Sequence, residues 1–144
     1  MMMIPRVYQP STPESERAGE GFAPSLEEME PMMKFNEELA KAGALIALDG
    51  LHPQAKGARV AFTKGSATVT DGPFIESKEV IGGYWIIDVG SKEEAVAWMK
   101  RCPAADGDVI EIRPIFEMSD FPMQVQQASK DLGVREQLEK NAGR

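Results

Sequence analysis

His52 is the only histidine in this 144-residue chain. Imidazole is the one side chain whose ordinary pKa lies near neutrality, which makes it the default proton carrier. Asp49 precedes it by one short turn and could hold the ring in a single tautomer. A second concentration of reactive types lies in Thr70-Asp71-Gly72-Pro73-Phe74-Ile75-Glu76-Ser77-Lys78-Glu79. Asp-Gly-Pro breaks regular structure, because Gly widens the accessible φ and Pro fixes φ and removes a donor. A charged loop held by such a turn is where binding and catalysis concentrate. Asp71 is the acid or base candidate of this segment, beside His52. Phe74, Glu76 and Lys78 are candidate ligand contacts, with Lys78 supplying a positive charge for an anion. In an extended chain Glu76 and Lys78 point one way and Glu79 the other. Arg59 and Arg113 fall in strand-like stretches, and either planar fork could reach a carboxylate or phosphate. Each group also has a plainer reading. His52 beside Pro53 suits an ordinary turn, Glu76 with Lys78 a surface ion pair, and the arginines cross-strand or interface salt bridges.

Several chemistries are disfavoured. One His and one Cys far apart make no zinc pattern, so no metal is expected. There is no Walker loop, and Gly82-Gly83 is not a dinucleotide fingerprint, so no cofactor is expected. The formal net charge of −7 argues against nucleic acid, which needs a basic face. No apolar run is long enough to span a bilayer, and no signal peptide is evident at the start. The lone Cys102 rules out an internal disulfide framework and points to a reducing cytoplasm. It precedes Pro103 at an expected helix C-terminus, which disfavours a thiolate and suggests a packing role.

The elements that must position these residues follow from pattern. Met2 to Gln9 reads as a first strand blemished by Pro5. Pro10 to Pro24 is a long loop rich in Pro, Ser, Gly and Glu, expected to be mobile or functional. Ser25-Leu26-Glu27-Glu28 is a capping box, followed by Met29, Met32, Met33, Leu39 and Ala40 near helical spacing. Pro31 conflicts with that helix, which either kinks there or begins there. Gly43 suits its stop. Ala44 to Leu48 is a buried strand. Ala58 to Thr63 and Ala67 to Thr70 flank Lys64-Gly65-Ser66 as a hairpin. Gly83 to Val89 is a strand rich in aromatic and β-branched residues, and Ser91-Lys92-Glu93-Glu94 is a second capping box. Its helix carries Ala95, Val96, Trp98 and Met99. Val109 to Glu117 alternates, with Ile110, Ile112, Pro114 and Phe116 on one side. From Ser119 the tail reads as a helix with Val125, Ala128, Leu132 and Leu138 as its apolar positions.

The fold class is therefore α+β: two βαβ units in series, a ferredoxin-like split fold, with a β-hairpin inserted at the centre. Residues 1–117 form the domain, with 10–24 as its loop, and 118–144 form a helical tail. The helices cover one face of the sheet. The other face carries enough apolar side chains to need cover, which back-to-back pairing of two copies would provide.

Asp71-Gly72-Pro73-Phe74 with Glu76, Lys78 and Glu79, then Gly82-Gly83-Tyr84-Trp85, resembles the signature of DGPF-domain proteins of the YCII-related family. The resemblance extends through Lys34-Phe35-Asn36-Glu37-Glu38-Leu39, Gly50-Leu51-His52-Pro53 and Arg101-Cys102-Pro103, over roughly residues 25 to 117. It implies a ferredoxin-like core that pairs into a homodimer of the dimeric α/β-barrel type. Some YCII relatives carry a proposed His–Asp pair with the histidine on the first helix. Here that helix offers Met33, Phe35 and Asn36, so that dyad does not carry over. Two classes of function remain. One is a small polar or anionic ligand, with or without chemistry, bound near the DGPF loop by Asp49, Arg59, Asp71, Phe74, Glu76, Lys78 and Arg113. The other is a non-catalytic interaction or regulatory protein, since the resemblance implies a link with extracytoplasmic-function sigma factors.

Overall fold

A computed structural model describes residues 1–74, 77–130, 133, 137, 138, 140 and 141. Glu76 and Leu132, both singled out above, lie outside these residues. The chain is of mixed α+β type with antiparallel sheets, and it divides into Met1–Arg113 and Pro114–Arg144.

In the first unit, strands β1 (Met2–Ile4), β2 (Leu45–Gly50), β5 (Gly83–Ile87) and β6 (Val109–Glu111) form one sheet in the order β2-β5-β1-β6. Every neighbouring pair is antiparallel. Strands β3 (Ala58–Thr63) and β4 (Ser66–Asp71) make a separate two-stranded sheet. Helices α1 (Leu26–Lys41) and α2 (Lys92–Met99) supply Phe35, Leu39 and Met99 to a core that also holds Met3, Ala44 and Trp85. Leu45, Ile87, Ile110 and Ile112 pack against the same cluster, so both helices lie on one face of the sheet. Cross-strand partners share a face. Met2 opposite Tyr84, Ala47 opposite Ile86 and Ile4 opposite Val109 therefore belong to the other face. No helix of the described residues is long and apolar enough to cross a membrane.

Local chemistry explains most boundaries. At α1, Ser25 Oγ accepts from the Glu28 amide at 3.3 Å, and Glu28 accepts from the Ser25 amide at 2.7 Å. The helix runs from this cap straight through Pro31. There Pro31 lacks the donor that would reach the Glu27 carbonyl, so the helix forgoes one backbone hydrogen bond. The buried stripe is Met32, Phe35 and Leu39, whereas Met29 and Met33 are exposed. At α2 the expected box is half made. Ser91 Oγ caps the Glu94 amide at 3.1 Å, but the Glu94 carboxylate takes the Gly90 amide at 2.9 Å instead of that of Ser91. The hairpin turns through Lys64 and Gly65, both at positive φ (49° and 81°), the geometry of a two-residue primed turn.

Two expected strands are shorter than the pattern suggested. β1 stops at Ile4 because Pro5 has no N–H to give the ladder. The Pro5 carbonyl instead accepts from the Tyr8 amide at 3.1 Å and starts a 3₁₀ turn over Arg6–Tyr8. β6 pairs with β1 alone, Met2 with Glu111 and Ile4 with Val109, so its length is capped by that of β1. Residues after Glu111 leave the ladder, and Arg113 stands outside any strand.

The 10–24 segment folds back on Arg6–Tyr8. Thr12 is buried and its hydroxyl donates to the Arg6 carbonyl. The Ala18 amide donates to the Val7 carbonyl at 2.8 Å, and Phe22 meets Tyr8 edge-on at 5.9 Å. In the second unit, helix α3 (Met123–Lys130) follows a 3₁₀ turn at Met118–Asp120, and Phe116 packs on Phe121 at 5.4 Å. Helix α3 begins later than the expected Ser119, and its Val125 and Ala128 are exposed.

Candidate functional site

The Asp71–Phe74 loop is built on the two feet of the hairpin. Ala58 pairs with Asp71, and the Gly72 amide then donates to the Gly57 carbonyl at 2.8 Å. Gly72 precedes Pro73 through a cis peptide bond and does not occupy the positive-φ region. Its requirement for glycine comes from close approach: a Cβ there would lie 1.8 Å from the Gln54 carbonyl oxygen.

One side chain ties the loop together. Gln54 Oε1 accepts from the Phe74 amide at 3.3 Å, while Gln54 Nε2 donates to Ser77 Oγ at 3.0 Å. Ser77 is buried and also accepts from the Arg59 guanidinium. The same guanidinium sits 4.2 Å from the centre of the Phe74 ring. Arg59, on β3, therefore fixes Phe74 and Ser77.

The remaining predicted residues distribute as follows. His52 is exposed just past the end of β2 and lines a cavity of about 430 Å³ with Lys56, Phe74 and Glu79. Asp49, on β2, accepts a hydrogen bond from Tyr84 Oη at 2.7 Å, so its partner is a phenol and not the imidazole. That bond and the carboxylate charge raise the Tyr84 pKa. Asp71 is exposed at the end of β4. Lys78 is exposed, and Glu76 lies outside the described residues. Arg113 follows β6, at the sheet edge opposite β2, with its Nε 3.7 Å from Glu111 Oε1. The structure thus brings His52 and Phe74 to one cavity, anchors Arg59 beside it, and sets Asp49 and Arg113 elsewhere.

A second cavity, of about 610 Å³, adjoins the same loop. Pro53, Gln54 and Phe74 line both. Its far wall comes from Tyr8 and from the 10–19 segment, through Glu14 and Arg17. Tyr8 Oη donates to the Leu51 carbonyl at 2.9 Å, and burial raises its pKa. Sequence reasoning missed Gln54, Ser77 and this wall. The one available signal was the length of the 10–24 segment, which exceeds that of most connections. Among the described residues, no three of His, Cys, Asp and Glu gather as a metal site would require.

The family model for the YCII-related domain matches residues 6–119. The match begins before the segment that lines the second cavity and runs past β6. The chain is also similar to an uncharacterized protein of Rhizobium meliloti (strain 1021), with 31% identity over 89 residues, 60% of this chain and 72% of that protein.

Proposed function

The chain belongs to the YCII-related domain family, and from that premise we propose that it binds a small polar or anionic molecule in the cavity lined by His52, acting as a cytoplasmic homodimer. The observation that carries this reading is the composition of that cavity. An exposed imidazole, the Lys56 ammonium and the Glu79 carboxylate border one concavity with the Phe74 ring. Lys56 supplies a positive contact for a carboxylate or phosphate. His52 is the proton carrier of any chemistry, with Glu79 as the carboxylate in the same cavity. Arg59 acts as a positioning residue, since it holds the Phe74 wall. Within a protein of net charge −7, only a specific local contact holds an anion against the global field.

The order β2-β5-β1-β6 with antiparallel neighbours supports a ferredoxin-like core with the hairpin inserted between its halves. The homodimer is supported by the sheet face away from the helices, where Met2, Ile86 and Val109 carry apolar side chains. Titration of small carboxylates and phosphates, followed by amide NMR shifts, tests the ligand. Shifts should centre on His52 and Lys56 and weaken in His52→Ala and Lys56→Gln. Unchanged binding in both variants removes this cavity from consideration.

A second reading, an interaction protein linked to extracytoplasmic-function sigma factors, is favoured by the hairpin. Val60, Phe62 and Val69 are 54%, 80% and 65% exposed on it. On this reading Phe62→Ser abolishes sigma-factor binding and leaves ligand binding intact.

A further inference from the structure

We propose that the larger cavity, beside the 10–19 segment, binds a zwitterion: a free α-amino acid, or an equivalent aminocarboxylate, with an apolar side chain. This site is distinct from the one bordered by His52 and Lys56, although the two share the Phe74 wall. Its volume of about 610 Å³ suits a small metabolite. Tyr8, Pro53, Pro73 and Phe74 give it apolar walls, and the prolines fix the local backbone in advance.

Two opposite charges, Glu14 and Arg17, line the same cavity, and neither forms an ion pair with a described residue. The contrast with their neighbours is direct. Arg6 and Glu16, of the same stretch of chain, pair at 2.6 Å. Arg17 instead donates from Nε and Nη2 to the Thr12 carbonyl, at 3.2 and 2.8 Å, and from Nη2 to the Pro10 carbonyl at 3.0 Å. Those neutral acceptors orient the guanidinium without cancelling its charge, and Nη1 makes no hydrogen bond to a described residue. The result is a pre-oriented cation and a separate carboxylate in one apolar-walled space.

That pair of charges selects among ligands. A simple anion would meet Arg17 but be repelled by Glu14, and a simple cation would meet the reverse. A zwitterion satisfies both, its carboxylate on Arg17 Nη1 and its ammonium on Glu14. Being neutral overall, it is also not repelled by the net charge of −7. Its side chain then rests on Phe74 and the prolines.

Amide NMR titrations with leucine and phenylalanine, their N-acetyl derivatives and their amides test the assignment. Free amino acids should shift Tyr8, Ala18 and Gly19, and each capped form should bind at least about tenfold more weakly, the loss of one charge-assisted contact. Glu14→Gln keeps the shape and should bring the free amino acid down to its N-acetyl derivative. Arg17→Gln should do the same for the amide comparison, and Glu14→Gln decides if Arg17→Gln loosens the segment. No saturable shift from either amino acid overturns the proposal. So do equal affinities for free and N-acetylated forms, or an inert Glu14→Gln. Shifts confined to His52 and Lys56 overturn it while leaving the smaller cavity's reading in force.

Discussion

The guanidinium of Arg59 stacks over the ring of Phe74, 15 residues further along the chain, with its central carbon 4.2 Å from the ring centre. Cation–π contacts at such partly exposed sites contribute about 0.5–1 kcal/mol. A double-mutant cycle of Arg59→Met and Phe74→Leu, read by urea unfolding, should return a coupling of that size. Additive effects would mean the stacking holds nothing. Arg59→Met alone should also broaden or shift the Phe74 ring resonances, because the Ser77 contact is lost with it.

Gly72 is closed to any side chain by the Gln54 carbonyl. Gly72→Ala should lower the unfolding free energy by about 1–3 kcal/mol, the usual cost of forcing extra atoms into a packed site. It should also move the amide resonances of Gln54 and Phe74. A variant as stable as the parent would show that the two feet of the hairpin separate without penalty.

Cys102 titrates far from neutrality. Burial pushes its thiol up to about 11, and Asp108 adds to the effect. At pH 8 the thiolate fraction is then roughly a hundredfold lower than for a thiol of pKa 9, and alkylation by iodoacetamide should slow by about that factor relative to the urea-unfolded chain. The folded pKa lies above the unfolded one. The neutral thiol therefore supports the fold fully below about pH 9, and this contribution is lost as pH rises through about 11. Equal labelling rates in the folded and unfolded chain would contradict the buried setting.

Sedimentation at micromolar concentration should give twice the 15.8 kDa chain mass. Ile86, opposite Ala47 on the face away from the helices, is the residue to test. Ile86→Lys should yield a folded monomer. A parent protein that sediments as a monomer would sink the homodimer.

What could be read from the sequence was local. The Ser25–Glu28 box and the Lys64-Gly65 turn are decided within four residues, and both form. Ser91–Glu94 differs only in where the glutamate reaches. Lengths that depend on a partner were misread: the Val109–Glu117 alternation is real at Ile110 and Ile112, but the ladder ends where β1 ends. Helical spacing groups Met29 and Met33 with Met32 and Leu39, yet both are exposed, and packing against Trp85 selects Phe35 and Asn36. The Trp85 indole donates to Asn36 at 2.8 Å and its ring meets Phe35 edge-on. Residue type singled out His52 and Phe74, which line one cavity, whereas Arg59 and Asp49 turn to partners 15 and 35 residues away that no spacing rule connects.

The hairpin is fastened at its base and open at its end. Six cross-strand pairs run from Ala58–Asp71 to Thr63–Ser66, and the Gly72–Gly57 bond closes the bottom. Gln54 and Phe74, which line both cavities, sit just beyond that closure. The spacing of the cavity floor is therefore set at the bottom rung, and the top rung is insulated from it by the whole ladder. Lys64-Gly65 is in effect an insertion port, where a peptide tag or fluorophore can be carried without re-spacing the residues that would touch a ligand.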